Sequence, residues 1–145
     1  MTSIDHAIIT RKLRAITKYL NALQPRAALD IQTYTSDFEQ QLITERLLHL
    51  IVEAAADANT YLLTASGQPP PETYFNSFIE VGRNGIITPE LATKLAPSAG
   101  LRNRLVHEYE DIDPHIVFQS IRMALEIYPA YIQQVQIYLE RQNAP

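Results

Sequence analysis

The sequence predicts an all-α fold, an up-and-down bundle of four to five helices. Two observations carry this: apolar residues recur at three- and four-residue spacing almost throughout, and no segment alternates with period two over a strand's length. The first helix is expected from about Ile4 to Leu23, with Ile8, Ile9, Leu13, Ile16 and Leu20 on its apolar side. Arg11, Lys12, Arg14 and Lys18 are interleaved, and Gln24 and Pro25 close it. After a less regular stretch, Ser36 and Glu39 stand in capping-box relation and open the longest helix, which carries Leu42, Leu47, Ile51, Ala54, Ala55 and Leu62 to about Thr64. The segment SGQPPP ends it. A short helix near Thr73 to Val81 then leads into a glycine-bounded turn, Gly82 to Gly85. Thr88 followed by Pro89 signals a cap and a first helical residue. Pro97 and Gly100 are expected to interrupt that helix before LRNRLVHEY resumes it. Asp113 followed by Pro114 starts the last long helix, with Val117, Ile121, Leu125, Tyr128, Ile132, Val135 and Leu139 on its apolar side and a kink expected at Pro129.

The chain has 145 residues, no internal repeat and no linker-like tract, so a single domain spanning 1–145 is expected. With no cysteine, thiol nucleophiles, disulfide frameworks, zinc knuckles and iron–sulfur sites are excluded together. Neither a signal peptide nor a transmembrane run is visible, which predicts a soluble cytoplasmic protein. A formal net charge of -4 argues against a protein that coats nucleic acid through a broad basic surface; a nucleic-acid partner would have to meet a local patch.

Chemistry must therefore come from His, carboxylates, hydroxyls or Arg. Of the four histidines, His6 and His115 sit beside expected helix starts, and His49 lies mid-helix between Arg46 and Glu53. No two have metal-ligand spacing, and these three read as surface or boundary imidazoles. His107 differs in its company, closing Arg102, Asn103, Arg104, Leu105, Val106, His107, Glu108, Tyr109. An Arg five residues before a His is cheap by chance. Requiring Arg-Asn, three residues, His, one residue and Tyr lowers the chance match to roughly a few in ten thousand on composition.

This RN-x-x-x-H-x-Y pattern resembles the signature of the HEPN superfamily, and within it that of the HepT toxins of HepT/MntA toxin–antitoxin pairs. The likeness covers nearly the whole chain: a basic amphipathic first helix, the long ERLLHLIVEAAADANTYLL helix, the Pro-rich break before PPPETYFNSF, and the glycine-bounded turn before TPELATKLAPSAGLRNRLVHEYEDID. It implies a HEPN-like helical bundle that dimerises, and an endoribonuclease built around Arg102 and His107. Among RNAs, tRNA is the first candidate substrate because its exposed single-stranded parts suit an in-cleft cut, with mRNA the alternative.

The chemistry stands independently of the family. RNA offers its 2′-hydroxyl as a nucleophile, and cleavage needs a base for that proton, an acid for the departing 5′-oxygen, and positive charge on the phosphorane. Imidazole transfers protons near neutral pH, and Arg presents a planar fork to phosphate oxygens. No metal and no cofactor is required. One His is too few for separate acid and base, and a two-fold homodimer would place two His107 and two Arg102 side chains in one cleft, with Arg104 adding local charge. In a regular helix Asn103 and His107 share a face, whereas Arg102 and His107 diverge by roughly 140°. Both can face one cleft only if the helix ends near His107 or the cleft wraps around the helix edge; the helix is expected to loosen there, with Asn103 orienting the His107 ring or touching phosphate.

From its residue type, Tyr109 reads as a packing anchor at a helix end. The resemblance implies instead that it is where a cognate MntA-type (MNT) nucleotidyltransferase attaches AMP, placing phosphate beside Arg102 and His107 and silencing the enzyme. Arg46 and Asp57 share nearly one stripe of the long helix and suit a supporting role, an internal salt link or a solvated pair. The acidic run Glu108, Glu110, Asp111, Asp113 reads as a solvated turn and helix cap rather than a metal site. Two rival readings stay open: a non-catalytic helical dimer serving as an interaction module, and an antidote that sacrifices Tyr109 to a toxic nucleotidyltransferase.

Overall fold

The computed structural model describes residues 4–108 and 110–143. These residues form α1 (His6–Leu23), a 3-10 turn (Gln24–Ala28), α2 (Ile31–Ser36), α3 (Phe38–Ala65), α4 (Tyr74–Arg83), α5 (Pro89–His107) and α6 (Pro114–Asn143). The five longer helices are those the periodicity predicts. The 3-10 turn and α2 fill the stretch that showed no clear period. Among the described residues, no helix is long and apolar enough to cross a membrane.

Each helix starts where a short polar side chain can accept an N–H that the helix leaves unpaired. Asp5 accepts from Ala7, Asp30 from Thr33, Thr73 from Asn76 and Thr88 from Leu91, the last with Pro89 at the first helical position. The start of α3 corrects the expected capping box. Asp37 holds the Gln40 N–H at 3.2 Å, while Ser36 belongs to α2 and donates back to the Gln32 carbonyl at 2.8 Å. A carboxylate one position nearer the helix outcompetes the hydroxyl for that N–H.

Both glycine turns follow one scheme. Gly67 after α3 and Gly85 after α4 have φ of 89° and 72°, a left-handed conformation that only glycine adopts without strain. It lets Gln68 N–H reach the Leu63 carbonyl at 2.9 Å, and Ile86 N–H the Val81 carbonyl at 3.0 Å, closing the helix ends.

The expected interruption at Pro97 and Gly100 does not occur, and α5 runs unbroken. Pro97 and Gly100 both lie on the exposed side of α5, so the Thr93 carbonyl that loses its donor faces water, while Leu91, Ala92, Leu95, Ala96 and Ala99 hold the buried side in the core. In α6 the helix likewise continues through Pro129, which is exposed.

At the centre lies α3, in contact with every other α-helix. Its alanines, Ala54, Ala55, Ala56 and Ala58, are buried and bring neighbouring backbones close. One polar cluster crosses this core. The buried Tyr131 hydroxyl of α6 meets Asn59 Oδ1 of α3 at 2.6 Å, and Asn59 Nδ2 donates to Ser77 Oγ of α4 at 3.1 Å. Burial pushes the pKa of Tyr131 up, so the hydroxyl keeps the proton it donates.

Where α4 and α5 pack, Gly82 leaves no room for a side chain: a Cβ there would sit 2.5 Å from Ala92 Cβ. Neither atom belongs to a flexible chain, so the helices themselves would have to part. Gly82→Ala is expected to destabilise the fold by about 1–3 kcal/mol, read as a lower urea midpoint with an unchanged slope.

Candidate active site

Helix α5 keeps regular geometry to its last residue. Glu108 leaves helical backbone (φ -129°, ψ 28°) while its N–H still bonds the Arg104 carbonyl at 2.8 Å. His107 is thus the final helical residue, and the loosening expected near it is confined to the residue after it. The divergence of Arg102 and His107 within one chain is retained. Arg102 turns inward against α3 and α4, and His107 is exposed at the helix end.

The Arg102 side chain is only 19% exposed and is held on three sides. Its guanidinium carbon stands 4.7 Å from the centre of the Tyr74 ring, the first residue of α4. One terminal nitrogen lies 3.7 Å from Glu53 Oε2 of α3, an ion pair too long to be a hydrogen bond. The other donates to Asn103 Oδ1 at 3.2 Å, and Nε is enclosed with no acceptor among the described residues. Asn103 therefore serves Arg102 here, and makes no hydrogen bond to the His107 ring among the described residues.

Behind Arg102 the chain of contacts continues along α3. Glu53 Oε2 lies 2.7 Å from His49 Nε2, and His49 Nδ1 lies 3.2 Å from an Arg46 guanidinium nitrogen. Arginine can only donate, so Nδ1 must accept, and the ring proton sits on Nε2, donated to the Glu53 carboxylate. Spacings of three and four residues put Arg46, His49 and Glu53 on one stripe. His49, read as a surface or boundary imidazole, is a boundary one: its side chain is 18% exposed and holds the Glu53 carboxylate that faces Arg102. The supposed link between Arg46 and Asp57 is corrected, since Asp57 pairs with Lys12 of α1 at 3.1 Å. The sequence reading missed His49, Glu53 and Tyr74 because their partner lies some fifty or thirty residues away. An Arg-x-x-His-x-x-x-Glu run on one helical stripe was the available signal.

Beyond His107, Arg104 Nε faces Glu108 Oε2 at 3.9 Å. Asp113 accepts the His115 N–H at 2.9 Å and its imidazole at 3.2 Å. These bonds, the backbone one foremost, hold its carboxyl below the usual carboxylate range, as a helix-capping role requires. Tyr109 lies outside the described residues.

A helical bundle that ends one helix on Arg-Asn-x-x-x-His has the layout of the HEPN ribonucleases. Comparison with known proteins narrows this to a family. The family model described as Ribonuclease HepT-like matches residues 8–135, and the chain belongs to that family. It is 50% identical over 139 residues, 96% of this chain and 95% of the other, to the tRNA nuclease HepT of Aphanizomenon flos-aquae (strain 2012/KM1/D3). It is 26% identical over 129 residues, 89% of this chain and 96% of the other, to the mRNA nuclease HepT of Shewanella oneidensis. Among solved structures it superposes, with a TM-score of 0.81 and 25% identity over 90% of this chain and 97% of the other, on a tri-AMPylated Shewanella oneidensis HEPN toxin in complex with MNT antitoxin. The chain is accordingly a ribonuclease of the HEPN toxin class.

Proposed function

We propose that the protein is a cytoplasmic toxin that cleaves tRNA without a metal ion, acting as a homodimeric single-domain enzyme through Arg102 and His107. The observation that carries the site assignment is the placement of Arg102: a guanidinium clamped by Tyr74, Glu53 and Asn103 is set in position before any phosphate arrives. His107 is exposed at the end of the same helix, five residues further along α5.

Two protomers joined about a two-fold axis bring two His107 rings to one scissile phosphate. One ring takes the 2′-hydroxyl proton as the oxygen attacks phosphorus. The other protonates the 5′-oxygen as its bond to phosphorus breaks. The Arg102 pair holds the charge that develops on the non-bridging oxygens. Products are a 2′,3′-cyclic phosphate and a free 5′-hydroxyl. The tRNA preference rests on the 50% identity to a tRNA nuclease against 26% to an mRNA nuclease.

Control is exerted by a cognate MNT-type nucleotidyltransferase. It transfers AMP from a nucleoside triphosphate to the Tyr109 phenolic oxygen, two residues beyond His107, with pyrophosphate leaving. The added phosphates compete with RNA for Arg102 and Arg104. The test is to incubate the unmodified protein with tRNA and with mRNA in EDTA and map the ends. Discrete tRNA fragments carrying 2′,3′-cyclic phosphate are expected, and are expected to vanish once mass spectrometry shows AMP on Tyr109. Intact tRNA beside a protein verified to carry no AMP would remove the proposal.

A further inference from the structure

The distribution of charge along the chain is uneven in a way the active site does not use. Residues 6–29 contain Arg11, Lys12, Arg14, Lys18 and Arg26 and no Asp or Glu, in a chain of net charge -4. Lys12 is committed to Asp57 at 3.1 Å. Arg11, Arg14 and Lys18 are exposed, and none forms an ion pair with a carboxylate of the described residues. Spacings of three and four residues put them on one ridge of α1, one cation per helical turn, rising about 4.5 and 6 Å from each to the next.

The helix that carries the ridge packs against α3, the source of Glu53, and against α6. Asp5 N–H bonds the Tyr61 hydroxyl at 2.6 Å and Lys12 bonds Asp57, so α1 runs antiparallel to α3. Continuing the same register puts Lys18 level with the turn of α3 that carries His49 and Glu53, on the outer side of α1 opposite the face that Ile16 and Leu20 bury.

We propose that Arg11, Arg14 and Lys18 form a docking ridge for the RNA phosphate backbone, separate from the cleavage site and holding the body of a long substrate while Arg102 and His107 engage one phosphate. A row of unneutralised cations is what backbone binding needs, because each releases condensed counterions when it meets a phosphate. The exposed residues between and beside them, Thr10, Thr17 and Asn21, are hydrogen-bonding side chains that suit phosphate and sugar. Ile8 is the exposed large apolar side chain of α1, so this face lacks the cluster of aromatic and aliphatic anchors on which protein interfaces depend. The proposal rests on the ribonuclease reading of the site, and the experiment separates the two.

Native protein and the triple variant Arg11→Gln, Arg14→Gln, Lys18→Gln are compared for binding of fluorescent full-length tRNA by anisotropy across a salt series. Cleavage of an oligoribonucleotide too short to span both site and ridge is followed in parallel. Glutamine is a good helix former at these exposed positions. The variant is expected to bind tRNA at least about tenfold more weakly, with the slope of log K against log salt reduced by about two units. Its cleavage of the short oligonucleotide is expected to match the native rate. Equal affinity and equal slope overturn the ridge even where cleavage is seen. If the variant binds tRNA like the native chain but no longer captures the MNT-type nucleotidyltransferase, the ridge is a protein-docking surface and the proposal fails. Absent cleavage of the short RNA by native protein counts against the ribonuclease assignment alone, since the binding comparison still decides the ridge.

Discussion

His107→Ala is expected to lower tRNA cleavage by roughly 10²–10⁴-fold, the usual worth of a positioned general acid or base. The loss should appear in the chemical step, with substrate affinity nearly kept, because an exposed ring at a helix end adds little to ground-state binding. Stability should change little too, since the residue is solvent-facing and no described side chain bonds to it. Single-turnover cleavage with excess enzyme, beside a thermal melt, measures both quantities. Arg102→Lys is the informative companion. Lysine keeps the charge but loses the planar fork and the stacking on Tyr74, so a loss approaching that of Arg102→Ala is expected. A His107→Ala enzyme that cleaves at the native rate would end the assignment.

Glu53→Gln is expected to reduce the cleavage rate on the order of 10²-fold through its hold on Arg102. Glutamine preserves the size of the side chain and an acceptor for His49 Nε2, but removes the charge that stands 3.7 Å from Arg102. The guanidinium then loses one of its three restraints and samples positions that cannot meet the phosphorane. The readout that separates positioning from direct chemistry is a double-mutant cycle. In an Arg102→Ala background, Glu53→Gln should cost almost nothing more. Fully additive losses would show that Glu53 acts by another route.

Much of this was legible from local rules. Thr88 and Pro89 predicted the start of α5 because capping is decided by a side chain and an N–H three residues apart. The end of α5 at His107 is one of the two arrangements that the divergence of Arg102 and His107 allowed, and its choice lay beyond local rules. Local rules failed where two nearby residues competed for one role, as Ser36 and Asp37 did at the head of α3. They failed again at Pro97, whose cost depends on whether the orphaned carbonyl meets water or core, and that is a tertiary fact.

The sequence by itself determined the class of the protein: a helical period without strands, no cysteine chemistry, and an Arg-Asn-x-x-x-His-x-Tyr segment whose residue types suit RNA cleavage. Those are properties of order along the chain, where neighbours in space are also neighbours in number. Only the tertiary structure decided what holds Arg102, because Glu53 and Tyr74 reach it from α3 and α4 across 49 and 28 positions. It also decided which way α1 faces, since packing around Ile9, Leu13 and Ile16 against α3 leaves Arg11, Arg14 and Lys18 on the outer side. Side-chain interactions fall off over a few ångströms, and distance along a sequence does not measure that separation once the helices have closed on one another.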